Sequence, residues 1–235
     1  MNLCKTHVIP LCFFLLATVP AYCQRGTIGI DVGQTSDKFG GSARNTDLVG
    51  DLNGQLVVVQ GSEKEGNPNV VVGGEMRFPS NTQNHASEYA LFGGVMFGAH
   101  SAFSAGFHVQ VRKILVPPST ENGETLNRDN MELLELPLVV HYRFGPGRNA
   151  FVEAQGAPEF KPHFKASSAG ASPLPNPNFD YGYTLRGSVG YIFGKWYARG
   201  NYETRYFKFT QSSGNPNGLY NWRTDAITGG VGFVF

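Results

Sequence analysis

The sequence predicts an all-β protein whose strands form a closed, antiparallel up-and-down barrel. Apolar and polar residues alternate with a period of two in several long segments, and no stretch has a convincing helical period. The connections between these segments are rich in Gly, Pro, Asn and Ser, and they alternate between short and long. A meander of this kind closes most simply into a barrel, because closure removes the unpaired strand edges.

About eight strands are expected. The alternation is clearest at 102–114, 131–144, 181–193 and 196–209, and it is weaker at 27–34, 88–98 and 149–161. Residues from about 35 to 87 are expected to form a long first loop. Within that loop, 55–60 (QLVVVQ) and 69–78 (NVVVGGEMRF) can form one more hairpin, which would raise the count to ten strands. Short connections are predicted at 98–101, 145–148 and 194–195, and long ones at 115–130, 162–178 and 210–221.

Residues 1–23 have the features of a secretory signal peptide. Lys5 supplies a positive charge, residues 8–19 are apolar, and cleavage is expected after Cys23. A lipidated Cys23 is the alternative, and it fits less well because bulky Tyr22 precedes the cysteine. All three cysteines lie in this segment. The mature chain, 24–235, is therefore expected to be a single domain without thiols.

Charge and motif content exclude several classes of function. Of the 19 basic residues only Lys5 lies in the leader, which leaves 18 basic against 18 acidic residues and no net charge to attract nucleic acid. After the leader, no segment approaches the ~18–20 apolar residues of a membrane helix. The sequence shows no metal-ligand spacing, phosphate-binding glycine loop or nucleophile elbow. No cofactor, metal or catalytic residue is therefore assigned.

Alternation alone does not decide which face of the barrel is apolar. A secreted carrier of the lipocalin type packs apolar residues inward, whereas a membrane barrel turns them toward lipid. Aromatic residues collect beside the short turns, where they are predicted to form one girdle at a membrane interface. They are Tyr142, Phe144, Tyr191, Phe193 and Trp196. This bunching favours a transmembrane barrel with an apolar exterior and a polar lumen.

The opposite face carries six acids and five arginines, with His108 and His141 beside them. They are Asp31, Glu88, Arg112, Glu135, Arg143, Glu153, Glu159, Arg186, Arg199, Glu203 and Arg205. Because buried charges must be paired, their near balance predicts an ion-pair network that plugs the lumen. Two acid–base pairs, His108 with Ser104 and His141 with Glu135, are too far apart within their own strands to act together.

The sequence ends in ITGGVGFVF, where Thr228, Gly230, Phe233 and Phe235 match the terminal strand motif of bacterial outer-membrane barrels. The mature chain thus resembles the small OmpA-type outer-membrane β-barrel domains. The resemblance implies a place in the bacterial outer membrane, contact with its lipid, and recognition of this motif by the barrel assembly machinery. If the amino terminus is periplasmic, strand order places the long loops outside the cell, where they are available to an extracellular partner.

Three functions follow from these expectations. The first is a non-enzymatic barrel with a plugged lumen and an envelope-structural or surface-interaction role. The second is a lipid-modifying or proteolytic enzyme with a site at the outer mouth. The third is a narrow pore.

Overall fold

The computed structural model describes residues 24–39, 45–58, 68–82, 85–98, 101–115, 119–121, 124–126, 130–160, 162–165, 178–210 and 221–235. The predicted signal peptide lies outside these residues. The strands are β1 (Gln24–Phe39), β2 (Asn45–Val58), β3 (Asn69–Pro79), β4 (Ser87–Phe97), β5 (Phe103–Leu115), β6 (Ser119–Glu121), β7 (Glu124–Leu126), β8 (Asn130–Glu135), β9 (Leu138–Phe144), β10 (Ala150–Glu159), β11 (His163–Lys165), β12 (Asn178–Phe193), β13 (Trp196–Thr210) and β14 (Asn221–Val234). A short 3₁₀ turn spans Pro146–Arg148.

Ten of these strands form the wall of a closed antiparallel barrel. The main sheet has twelve segments, but β8 and β9 are halves of one wall strand and β11 is a short addition, so ten strands remain. Closure occurs where β1 pairs with β14, from Thr27 opposite Val234 to Phe39 opposite Trp222. The backbones of Gly26 and Phe235 also exchange two hydrogen bonds. The predicted barrel is confirmed, with ten strands rather than eight.

The expected long loop over 35–87 is wrong. Strand β1 continues to Phe39, and β2 and β3 occupy most of the remainder as full wall strands. Glycines interrupt the apolar pattern of β2, because Gly50 and Gly54 stand on the outward face with Leu48 and Leu52. The weak alternation of this segment therefore reflects small outward residues, and it does not mark a loop.

The barrel has a near end, where β1 begins and β14 ends, and an opposite far end. Short connections join strands at the near end, at 98–102, 145–149 and 194–195, as predicted. Gly194 makes the tightest of them possible: its φ of 66° lies in the left-handed region that favours glycine in two-residue hairpins. One pair of strands differs, since β2 ends and β3 begins at the near end with ten residues of sequence between them.

The wall strand formed by β8 and β9 is interrupted at Pro137. Proline has no N–H to donate to the neighbouring strand. The ladder with β5 nevertheless keeps one register on both sides, with Gln110 opposite Glu135 and Phe107 opposite Leu138. The carbonyl of Pro137 still accepts the His108 N–H at 2.9 Å. The barrel therefore closes without a bulge here.

The two faces of the wall have opposite chemistry. Apolar side chains point outward, with Ile227 67%, Val32 64% and Leu138 63% exposed. Charged side chains point inward, and Glu203 and Arg205 are almost completely buried. No helix in the described part of the chain is long and apolar enough to cross a membrane. The predicted sidedness, with apolar residues outside and ion pairs inside, is confirmed.

Candidate functional site: a layered lumen

The lumen is filled by three layers of side chains. At the far end lies an apolar layer consisting of Ala86, Ile114, Met131, Leu133, Phe207, Phe209 and Trp222. Below it lies a charge layer consisting of Asp51, Glu75, Arg77, Glu88, Arg112, Glu135, Glu159, Arg186, Glu203 and Arg205. Toward the near end, Val71, Met96 and Val139 form a smaller apolar cluster, packed by Val57 and Phe92.

Glu203 lies at the centre of the charge layer. Its carboxylate accepts hydrogen bonds from Arg77 Nη1 at 2.7 Å and from Arg186 Nε at 2.8 Å, on different oxygens. Arg205 Nη2 lies 3.4 Å from Glu203 Oε1. Arg77 also forms a two-pronged pair with Asp51, with nitrogen–oxygen distances of 2.9 and 3.0 Å. One carboxylate thus joins three arginines from three strands.

Arg112 forms the second centre of this layer. Its guanidinium donates to Glu88 at 2.9 Å and to Glu135 at 3.0 Å, and its third nitrogen contacts Glu75. Glu75 in turn accepts from Arg186 Nη1 at 2.7 Å, which links the two centres. The planar fork of arginine suits this role, because one guanidinium can bridge several carboxylates.

Glu159 is the least satisfied acid of the charge layer. It stands directly opposite Glu135 in the ladder, so two carboxyl groups face each other in the interior. Thr184 donates to Glu159 Oε1 at 2.5 Å, and Arg205 Nε lies 3.9 Å from the same oxygen. Glu159 Oε2 has no hydrogen-bond partner among the described residues. This acid is buried without full pairing.

The structure brings seven of the eleven sequence-predicted lumen residues into the charge layer. They are Glu88, Arg112, Glu135, Glu159, Arg186, Glu203 and Arg205. Asp31 and Arg199 form a separate pair nearer the near end, with 2.5 Å between Oδ2 and Nη2. The remaining two, Arg143 and Glu153, contact His141 instead.

Sequence reasoning missed three members of the charge layer: Asp51, Glu75 and Arg77. All three lie in the segment that was expected to be a loop, so their inward positions were not counted. The alternation of NVVVGGEMRF already placed Glu75 and Arg77 on one face. Assigning β2 and β3 as wall strands would have identified them.

A small polar cavity lies between the charge layer and the Asp31–Arg199 pair. Its volume is about 40 Å³, and its walls include Asn53, Ser188, Asn201 and Thr228. A space of this size holds about three water molecules. Asn201 Oδ1, which is buried, has no hydrogen-bond partner among the described residues. The cavity suits trapped water and is too small for a substrate.

Three residues of types that often act in catalysis lie side by side in the near half of the lumen. Their hydrogen bonds do not form a catalytic relay. Ser104, His141 and Glu153 stand opposite one another on β5, β9 and β10. His141 Nδ1 contacts Glu153 at 3.3 Å, so its partner is not Glu135. However, His141 Nε2 accepts a hydrogen bond from Arg143 Nε at 3.2 Å. A base whose acceptor nitrogen is occupied cannot take a proton from a serine.

The other pair considered, His108 with Ser104, is too far apart within one strand to make contact. His108 stacks on Phe92, with 4.9 Å between ring centroids, and its Nε2 has no hydrogen-bond partner among the described residues. No group of three metal-ligating side chains occurs in the described part of the chain.

The five predicted girdle residues, Tyr142, Phe144, Tyr191, Phe193 and Trp196, are exposed on the outer surface at the near end. The expectation that aromatic residues bunch at one end is wrong. A second outward set lies toward the far end, and consists of Phe78, Tyr89, Tyr181 and Tyr183. Two aromatic bands, one at each boundary of an apolar surface, are the pattern of a membrane-spanning barrel.

The four residues of the predicted assembly motif occupy the seam between β13, β14 and β1. Phe233 packs against Trp196 with 5.2 Å between ring centroids, and Thr228 Oγ1 accepts from Asn201. At Gly230 an added Cβ would lie 2.1 Å from Asp31 Oδ1, so only glycine fits beside this carboxylate. Phe235 is exposed on the outer surface.

Two carboxylates, Asp37 and Asp47, hold the far rim together. Asp37 is buried and accepts from Thr224 Oγ1 at 2.6 Å, with His85 Nδ1 also 2.6 Å away. Asp47, at the start of β2, accepts from the Ser80 hydroxyl at 2.6 Å and the Leu48 N–H at 2.8 Å. These carboxylates tie the β3–β4 connection to β1 and β2.

The fold and the lumen define the class of this protein. In lipid, strands can satisfy all their backbone polar groups only in a closed barrel, and the outward face must then be apolar. The chain has both properties. It has the architecture of a transmembrane β-barrel protein.

No protein-family model matches the sequence, and neither does any curated protein. Solved barrels are similar in architecture. The translocator domain of the autotransporter NalP from Neisseria meningitidis is 13% identical, with coverage of 97% of this chain and 95% of that one and a TM-score of 0.48. The outer-membrane protease OmpT from Escherichia coli is 11% identical, with coverage of 90% and 96% and a TM-score of 0.47.

The NanC porin is also similar, at 13% identity, with coverage of 89% of this chain and 98% of that one and a TM-score of 0.42. At these identities and TM-scores the likeness concerns barrel architecture, and it says nothing about activity. The finer resemblance to the small OmpA-type barrels stays a prediction.

Proposed function

We propose that this protein is a non-enzymatic, non-conducting barrel that serves as a rigid membrane scaffold and presents its far-end loops to partners outside the cell. The observation that carries the proposal is the filled lumen. An apolar layer and a charge layer lie across the same passage, and most of their members are buried. An ion would have to break several arginine–carboxylate pairs and then cross an apolar constriction.

The presence of both signs of charge in one layer supports the same conclusion. The charge layer contains four arginines and six acids, and the arginines interlock with carboxylates from other strands. A selective pore typically presents rings of one sign to the passing ion. Here the side chains bind one another across the lumen, and strands far apart in sequence are held together. The network therefore connects distant strands of the wall through the interior of the barrel.

The enzyme alternative has less support. Its candidate groups, Ser104 and His108, are buried in the lumen, away from the far mouth where a lipid or peptide would approach. The acceptor nitrogen of His141 is occupied by Arg143. Two expectations from the resemblance belong to this proposal. The near end of the barrel faces the periplasm, and the assembly machinery recognises Phe233 and Phe235.

Single-channel recording tests the proposal. The refolded mature chain, inserted into a planar bilayer, is expected to give no conductance steps above those of a protein-free bilayer. Folding is checked in the same preparation by heat-modifiable migration on gels. A double variant, Glu203→Ser with Arg205→Ser, removes one acid and one base from the centre of the lumen and is expected to give brief steps. Stable steps from the unaltered protein would reject the plugged scaffold.

A further inference from the structure

The outer surface near the far end carries cations that the lumen does not explain. Lys38 on β1 and Arg223 on β14 both point outward, because their neighbours Asp37 and Trp222 are buried inside. The ladder places Lys38 directly opposite Arg223. Like charges at directly opposed positions of an antiparallel pair destabilise the sheet. The arrangement becomes favourable when an anion lies between them.

The surroundings of this pair form a shallow polar site. On the next strand Tyr206 stands opposite Arg223, and Lys208 stands opposite Asn221. The Tyr206 hydroxyl donates to Asn221 Oδ1 at 3.3 Å. The ring of Tyr206 packs on those of Tyr181 and Tyr183, with centroids 5.8 and 5.7 Å away. Cations and amide groups thus lie above an aromatic platform.

Two acids face the same surface and neutralise part of its charge. Arg223 contacts Asp225, with 3.0 Å from Nη2 to Oδ1, and Asp225 also accepts from the Tyr202 hydroxyl at 3.1 Å. Lys208 contacts Asp180 at 3.2 Å. Three cations against two acids leave one positive charge in excess. The side chain of Arg223 is 55% exposed even with its contact to Asp225, so its guanidinium has room for a second partner.

The height of the site matches the headgroup region of a bilayer. Strand β14 and the residue that follows it measure about 40 Å from Phe235, at the near end, to Arg223, at the usual rise per residue. A tilt of about 40° converts this length to roughly 30 Å along the membrane normal, which is the thickness of the hydrocarbon core. Below the site, exposed Ile227 and Val32 belong to the lipid-facing surface. The site is continuous with that surface.

We propose that Lys38, Arg223 and Lys208 bind the phosphate-bearing headgroup of a lipid in the leaflet at the far end. The phosphate lies between Lys38 and Arg223 and relieves their repulsion, and the acyl chains lie along Ile227 and Val32. Basic residues beside a membrane surface attract anionic headgroups in this way, and tyrosines hold the depth of the contact. The site is separate from the plugged lumen and independent of whether the lumen conducts.

Native mass spectrometry of the folded mature chain in neutral detergent tests the site. The probes are dioctanoyl phosphatidic acid, which is anionic, and dioctanoyl phosphatidylcholine, which is zwitterionic and has no net charge. The unaltered protein is expected to retain phosphatidic acid more tightly. The double variant Lys38→Gln with Arg223→Gln is expected to bind it roughly thirtyfold more weakly, and Lys38→Gln alone about fivefold.

Lys113→Gln is the matched control. Lys113 is an outward cation with a tyrosine ring nearby, Tyr89, at 5.8 Å, but its opposite residue is the acid Glu132. Its loss should leave phosphatidic acid binding unchanged. Equal retention of both lipids by the unaltered protein, or full retention of phosphatidic acid by the double variant, would overturn the proposal. Displacement of phosphatidic acid by millimolar inorganic phosphate would show that the site binds free phosphate instead of lipid.

Discussion

The two halves of the lumen use the same residue types in different surroundings. In the far half, Arg205 and Glu203 are buried beneath an apolar layer, and their side chains are 0% and 3% exposed. In the near half, Arg199 and Asp31 pair beside a polar cavity, and the Arg199 side chain is 21% exposed. We therefore expect burial to decide how much each ion pair contributes to the free energy of unfolding, since a charge that can reach water has an alternative partner.

Arg205→Ala should give the largest effect. Arg205 is fully buried and contacts Glu88 at 2.7 Å and Thr184 at 3.0 Å. Its removal leaves Glu88 paired with Arg112 alone and takes away the arginine nearest to buried Glu159 among the described residues. The free energy of unfolding is expected to fall by about 3–5 kcal/mol. Urea titration in lipid vesicles, read by heat-modifiable migration, measures it. Lys195→Ala, in an exposed near-end turn, is the control. A loss below about 1 kcal/mol for Arg205→Ala would show that buried pairs in the far half of the lumen matter no more than exposed ones.

Arg199→Ala should give a smaller loss. The partner of Arg199, Asp31, also accepts a hydrogen bond from Asn53 Nδ2 at 2.7 Å, and the adjacent cavity can supply water. The expected reduction in the free energy of unfolding is about 1–2 kcal/mol in the same urea titration. Asn201→Ala, another residue lining this cavity, separates loss of charge from loss of volume. An equal loss of unfolding free energy in Arg199→Ala and Arg205→Ala would show that solvent access does not decide how much these pairs stabilise the protein.

Glu159→Gln should give the smallest effect, and of opposite sign. Glu159 faces Glu135, and its Oε2 has no partner among the described residues. An amide at this position can donate to the Glu135 carboxylate, so the free energy of unfolding is expected to rise by up to about 1 kcal/mol. The same exchange at Glu203 serves as the comparison and should be clearly destabilising, because that carboxylate joins three arginines. Destabilisation by Glu159→Gln would show that its charge is needed.

Several features could be predicted because they depend on residues close in sequence. The alternation of β13 placed Glu203 and Arg205 on one face and Tyr202 on the other, and the structure agrees. The short turn at Gly194 was also visible. Strand β2 was missed because Gly50 and Gly54 remove apolar side chains from its outward face. A pattern method detects side chains, and a glycine contributes none.

The pairing of charges could not be predicted in the same way. Arg77 and Glu203 are 126 residues apart, and Arg186 and Glu75 are 111 apart. Which acid meets which arginine depends on strand register and on the number of strands that close the barrel. The ladder also placed His141 opposite Glu153, whereas reasoning within a single strand had considered Glu135.

The sequence by itself determined the type of wall: strands, their short near-end turns, and an apolar face opposed to a charged one. These properties follow from the period of two along each strand, which is local. Only the tertiary structure decided that ten strands close, that two acids meet at Glu135 and Glu159, and that an apolar layer covers the charges. Those outcomes depend on contacts across the lumen, where each side chain meets partners from other strands.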